Sequence, residues 1–277
     1  MTQATGEPQP GLMTREELEV VLGWAEQEGW NPGLEDLAAF YEADPGGFFV
    51  SRVDDVPVAA ISVVNHSDAF AFLGLYICVP EWRRRGVGLD LWQIALLHAD
   101  KRTIGLDGVP VQQKNYEASG FVSSGRTTRF TGSIRGSIGE VSEAIPSMDD
   151  ALASLEAKAT GYQKHSFMRH WLTPCTTRKT LALQDAQGFV TVRKCKAGTK
   201  IGPLVAHSFE DAKRLLHAAA GIFEGSVTID VPDDAGELTA YCTQLGMTSD
   251  FSTARMYRGR APRSGKLIYS VATLELG

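Results

Sequence analysis

The chain has 277 residues, 43% hydrophobic and 22% charged, which is enough apolar material for a substantial core and leaves little room for extended disorder. At this length two domains of roughly 130 residues each are expected. A net charge of -6 with a pI near 5.6 argues against nucleic acid as the main partner, since phosphate backbones need a basic face, and leans weakly toward cationic small molecules.

The opening stretch MTQATGEPQPGLM lacks the basic start and apolar run of a signal peptide, and no later window reaches membrane-spanning length. A cytoplasmic protein without a membrane partner is the expectation. TREELEVVLGWAEQEGW then places Leu18, Val21, Leu22 and Ala25 at helical spacing, with Thr14 and Glu17 forming a capping box. Asn31-Pro32-Gly33 predicts a turn and LEDLAAFYEAD a short helix. GFFVSRVDDVPVAAISVVN reads as two strands joined around Asp54-Asp55. AFAFLGLYICV has the apolar, branched and aromatic content of a buried central strand. It runs into VPEWRRRGVGLDLW, and the following helix is expected to pack through Leu89, Trp92, Ala95 and Leu96. TIGLD as a strand, VQQKNYEASG as a helix and FVSSGRTTRFTG as a strand complete the first half, so helices should cover a mixed sheet.

The second half repeats this plan. GFFVSR from Gly47 resembles GFVTVR from Gly188, and YEASGF resembles YCTQLGM. Gly120 to Arg129 and Gly246 to Arg255 are each nine positions apart, which points to an internal duplication. The join falls in the Gly- and Ser-rich stretch 132–147, giving domains 1–133 and 134–277.

Three arginines before a Gly-x-Gly need a reason in an acidic chain. Between a strand and a helix, the amides of Arg84, Arg85, Gly86, Val87 and Gly88 would lie unpaired at the positive end of the helix dipole. Gly86 and Gly88 let a phosphate approach the backbone, and the guanidiniums add charge-assisted bonds. The pattern predicts a diphosphate site rather than a solvated charge run.

Arg83 to Gly88, led by ICVPEWR and followed by NYEASGF at Asn115 to Phe121, resembles the paired motifs of the GNAT acetyltransferase superfamily. With EGWNPG, IGPLVA and TARMYRG the whole chain resembles a tandem GNAT protein of the YitH type. The resemblance implies an α/β fold (α+β in some schemes) of two tandem domains, each a mixed, mostly antiparallel sheet flanked by helices. It implies acetyl-CoA as co-substrate, with pantetheine along Ile77, Cys78 and Val79. The Val79 amide would stabilise an oxyanion, Asn115 would join the cofactor site, and Tyr116 would be the acid for the leaving thiolate. The acceptor, a small-molecule primary amine, would attack directly in a ternary complex. A non-catalytic acyl-CoA-binding or sensor protein is the alternative, and a homodimer stays open.

The central strand carries no acid, which leaves deprotonation through water or through Glu26, Glu28, Asp36 or Glu42 of the first helices, undecided among them. Trp24, Trp30 and Asp36 fall where the resemblance implies an acceptor wall, beside Phe40 and Tyr41, although aromatics at helical spacing serve equally as core. The cysteines, Cys78, Cys175, Cys195 and Cys242, and the six histidines lack metal spacing, so reduced thiols and no metal are expected. In the second copy, aligning Val79 with Val205 sets Glu210 and Asp211 opposite Arg84 and Arg85, and Ala212 and Arg214 opposite Gly86 and Gly88. Carboxylates there would repel a diphosphate, so this copy is expected not to bind CoA and to serve a structural role.

Overall fold

The computed structural model describes residues 6–137 and 141–277. In the first half β1 (Gln9–Leu12), α1 (Arg15–Gln27) and α2 (Asp36–Tyr41) precede β2 (Phe48–Val53), β3 (Val56–Asn65) and β4 (Phe70–Cys78). Then follow α3 (Val87–His98), β5 (Thr103–Gly108), α4 (Gln113–Ala118) and β6 (Val122–Gly132). The second half repeats the order with β7 (Ser142–Glu143), α5 (Asp149–Thr160), α6 (His165–Leu172), β8 (Arg178–Ala182), β9 (Gly188–Lys194) and β10 (Thr199–Ala206). It ends with α7 (Phe209–Ala220), β11 (Val227–Pro232), α8 (Gly236–Gln244), β12 (Thr248–Arg258) and β13 (Ile268–Ser270).

Local chemistry accounts for the element ends. Thr14 caps α1 as the spacing predicts: its hydroxyl accepts from the Glu17 amide at 3.3 Å, and Glu17 accepts from the Thr14 amide at 2.8 Å. Glu17 also holds Arg52 at 2.6 Å, tying the helix to β2. On α3 the buried stripe is Val87, Leu91, Trp92 and Ala95; Leu89, expected to pack, is 57% exposed. Trp92 and Ala95 pack as expected and Leu96 is half-buried; Leu89 alone falls off the buried face set by Val87, Leu91 and Ala95.

One sheet runs through both halves, in the order β1-β2-β3-β4-β5-β12-β6-β11-β10-β9-β8-β7, with β13 on β10. Among the described residues only β4–β5 and β10–β11 pair in parallel. The halves exchange strands. The second half's β12 lies between β5 and β6, and the first half's β6 lies between β12 and β11. Within residues 1–133, β6 therefore joins β1 to β5 only through a strand from beyond residue 134.

The exchange explains the nine-residue repeat. Arg255 on β12 sits opposite Asp107 on β5 and donates to both carboxylate oxygens, at 3.0 and 2.7 Å. Arg129 on β6 sits opposite Asp230 on β11 and does the same at 2.7 and 2.9 Å. Each guanidinium reaches into the other half, and both pairs are buried. The GFFVSR and GFVTVR match does not share this standing. These segments form β2 and β9, the second and third strands of their halves, so the match does not mark equivalent strands; both are buried along nearly their whole length.

Core clusters lie under α1, α2, α5 and α6, around α3, and around α7. No helix among the described residues is long and apolar enough to cross a membrane.

Candidate active site

Strands β4 and β5 pair from Phe70–Thr103 to Leu73–Leu106 and then part. The separation begins where Leu75 adopts a left-handed φ of 48° and the register with β3 shifts between Ala60 and Ser62. Such a bulge bends one strand away from its neighbour. It leaves a V-shaped gap edged by Tyr76, Ile77 and Cys78.

Which amides face that gap follows from the ladder. Val79 N–H donates to Val58 O at 3.0 Å, so this amide is committed to β3 and is not the free oxyanion donor expected from sequence. Hydrogen-bonded and non-hydrogen-bonded pairs alternate along an antiparallel ladder, so Cys78, opposite Ala59, turns its N–H toward the gap instead. The Cys78 thiol is pushed up by burial and stays protonated.

Beyond Cys78 an eight-residue turn leads to α3, whose N-cap Gly86 has φ 87° and offers no side-chain cap. Its first-turn amides remain available to an anion. Arg84 reaches this turn with φ 64°, a conformation that non-glycine residues rarely adopt. The three guanidiniums divide the work: Arg83 bonds Cys78 O at 2.8 Å and Glu28 at 2.5 Å, while Arg85 stacks over Trp82 at 4.8 Å. Arg83, Arg84, Gly86 and Gly88 line a cleft of about 450 Å³ with Ile77 and Cys78; Arg85 does not. A Cβ on Gly88 would come within 2.8 Å of the Tyr76 hydroxyl, crowding the same cleft.

A second cavity runs inward from the cleft. Trp30, Tyr76, Val109 and Gln112 line both, and Leu73, Leu75, Leu106, Tyr116 and Phe251 make the inner walls apolar. Tyr116 stacks on Trp92 at 5.5 Å, and burial, with Tyr76 nearby, holds its hydroxyl well above the usual phenol range. Trp30, expected on an acceptor wall, stands where the two cavities meet. Its position is fixed by its carbonyl, which accepts from Lys200 at 2.6 Å and from Arg129 at 3.4 Å.

Other expected residues lie elsewhere. Asp36 is 1% exposed, bonded to the Gly33 amide at 2.7 Å and to Arg193 at 3.0 Å, so it pins the first half to the second rather than facing an acceptor. Trp24 packs against the core cluster below α1, and Phe40 stacks on Trp171. Asn115 is exposed, with its amide donating to Gln112 at 2.7 Å. Of the acids weighed as bases, Glu28 holds Arg83 and Glu26 holds Lys196 at 2.5 Å.

The second half closes the corresponding features. Only His207 and Ser208 separate β10 from α7, so the arginine turn is deleted rather than replaced residue for residue, and Glu210 and Asp211 occupy the first turn of α7 itself. Ser208 caps that helix, accepting from the Asp211 amide at 3.1 Å. The gap between β10 and β11 is filled by the chain's own β13, which pairs with Leu204 and Val205, while Val271 N–H donates to Asp230 O at 3.1 Å. Tyr241 hydrogen bonds His217 at 2.7 Å. Among the described residues no cluster of three or more metal-ligating side chains occurs.

Comparison with known proteins agrees with this geometry. Residues 15–121 match the acetyltransferase (GNAT) family and residues 152–270 an acetyltransferase (GNAT) domain. Holothin acyltransferase of Pseudoalteromonas sp. (strain SANK 73390) is 34% identical over 95% of this chain and 92% of its own length. The uncharacterized N-acetyltransferase YitH of Bacillus subtilis (strain 168) is 22% identical over 74% of this chain and 76% of its own. The crystal structure of a candidate acetyltransferase from Pyrococcus horikoshii superposes with a TM-score of 0.83 at 20% identity, covering 100% of this chain and 97% of that one.

Proposed function

The chain belongs to the GNAT acyltransferases, with two such domains in tandem, and on that premise we propose that its first half transfers an acetyl group from acetyl-CoA to a primary amine of a small molecule. The observation that carries the reading is the junction of two cavities. A cleft with uncapped helix amides and arginines meets an apolar inner pocket at Trp30, Tyr76, Val109 and Gln112. An anionic carrier and an uncharged reacting end need those two environments side by side.

In this reading the amides from Arg84 to Gly88, with the Arg83 and Arg84 guanidiniums on the cleft wall, hold the diphosphate. The gap edge at Ile77 and Cys78 takes the pantetheine arm as an added strand, and the Cys78 amide is the donor aimed at the thioester oxygen. The amine attacks the thioester carbon directly and the C–S bond breaks. Tyr116, kept protonated by its burial, gives its proton to the departing sulfur. A relative whose name records acylation of holothin supports transfer to a defined acceptor.

Release of free thiol from acetyl-CoA across a panel of amines tests the proposal. Turnover with at least one amine is expected. Tight acetyl-CoA binding without turnover on any of them would instead favour a sensor.

A further inference from the structure

We infer that Glu275, delivered to the inner pocket by the segment after β13, is the base that takes the proton from the acceptor amine. The assignment rests on the acyl-transfer reading above and deepens it. The segment crosses from one half to the other. Arg193 donates to Ala272 O at 3.2 Å, Leu276 N–H donates to the Thr273 hydroxyl at 2.8 Å, and His66, held neutral by burial, donates to Leu276 O at 2.8 Å. The backbone of Glu275 lies so close to Gly74 that a Cβ there would be 1.9 Å from the Glu275 carbonyl oxygen. Position 74 on β4 is thus a glycine where this segment docks, beside the bulge that opens the gap.

The charges around the inner pocket single out one carboxylate. Asp107, also on its wall, has both oxygens bonded to Arg255. Arg129 is engaged bidentately by Asp230, and Lys200 donates to Trp30 O. Glu275 is 4% exposed and lines the pocket; Arg129 and Lys200 lie near enough to attract its carboxylate, but both are hydrogen bonded elsewhere, and among the described residues no hydrogen bond or ion pair within 4 Å holds it. A carboxylate at a pocket wall with no hydrogen-bond donor of its own is open to one from a ligand, and a cationic amine supplies it.

An acceptor entering as an ammonium meets this group among Leu73, Leu75, Leu106 and Phe251. An ammonium has no lone pair to attack with, so it must give up a proton at the site, and a carboxylate within hydrogen-bond reach is the group to accept it. Glu275 takes one proton, and the freed lone pair attacks the thioester carbon. Of the two protons that leave nitrogen overall, one ends on the CoA sulfur by way of Tyr116 and the other passes from Glu275 to water.

The isosteric Glu275→Gln variant tests this. Its kcat with alkylamine acceptors should fall roughly 100-fold or more, with acetyl-CoA affinity by calorimetry unchanged. With aryl amines, already neutral at the assay pH, the loss should be at least tenfold smaller, which a packing defect would not produce. Turnover within about threefold of wild type, or an equal loss with both amine types, overturns the assignment. Should Glu275→Gln not fold, Glu275→Asp, which keeps the charge and shortens its reach, reads the same contrast between amines. A wild type that acylates no amine overturns the amine-acceptor reading and this base together. A wild type that does so beside an equally fast variant overturns the base alone.

Discussion

Arg255→Met is the substitution that probes the strand exchange most directly. Arg255 is the guanidinium through which β12 grips β5, and its partner Asp107 has a fully buried side chain. Removing the arginine takes away two of the carboxylate's hydrogen bonds and leaves a fully buried side chain with only the 3.4 Å bond from the Thr253 hydroxyl. Breaking a buried pair this way costs about 3–5 kcal/mol. For a chain of this size each kcal/mol shifts Tm by roughly 2–4 °C, so a fall of about 6–20 °C is expected in a thermal scan. Replacing both partners, in Asp107→Leu/Arg255→Met, removes the stranded charge and should recover most of the loss. The pH response has a definite sign. Burial raises the Asp107 pKa above 3.8 despite Arg255, so its ionised form is penalised in the fold, and the penalty is relieved as pH falls through the raised value. Loss of Arg255 enlarges that rise, so the deficit of the single variant should shrink on acidification. A single variant within about 1 kcal/mol of wild type, or a double variant no more stable than the single, would refute the reasoning.

Three further outcomes follow from the site. Calorimetry should find one acetyl-CoA per chain, because β13 fills the second gap and Ser208 caps the second helix; two equal sites would contradict this. Arg84→Glu puts a carboxylate on the cleft wall and should weaken acetyl-CoA binding at least about tenfold at low salt, whereas retained affinity would remove the anion-site argument. Tyr116→Phe should lower kcat by about 100-fold with acetyl-CoA affinity unchanged. Because burial holds the Tyr116 phenol above its ordinary 10.0, the wild-type rate should show no alkaline loss from this group near that pH, and an unchanged rate in the variant would exclude it as the acid.

How much of this was legible in the sequence depended on the range of the interaction. The α1 capping box and the alternation of elements are set within a few residues, and the sequence showed both. The arginine turn was legible as an anion site because strand, glycines and helix are contiguous. The fate of the Val79 amide was not, since it depends on which residue of β3 lies opposite. Asp36 resembled an acceptor-wall acid only because Arg193, 157 positions away, was out of view. Gap-free alignment of the halves hid the shortening between β10 and α7, which places Glu210 and Asp211 inside the helix instead of opposite Arg84 and Arg85. The central strand carries no acid, and the residue whose backbone docks against its Gly74, Glu275, comes from two hundred residues further along the chain.

That displacement bears on why an occluded second copy stays on the chain. Its own gap is sealed by β13, and its helix N-terminus is capped by a side chain, so the features that make the first half a site are absent from it. Yet the inner pocket of the first half takes Phe251 and Thr253 from β12 and Leu274 and Glu275 from the segment after β13. The strand between β5 and β6 is likewise supplied from there. Without these residues the first half would have a cleft beside β4 but neither the far wall of the inner pocket nor the Glu275 carboxylate. The second copy thus supplies the other side of the first copy's inner pocket, and the chain that closes one gap as β13 runs on to line that pocket with Leu274 and Glu275.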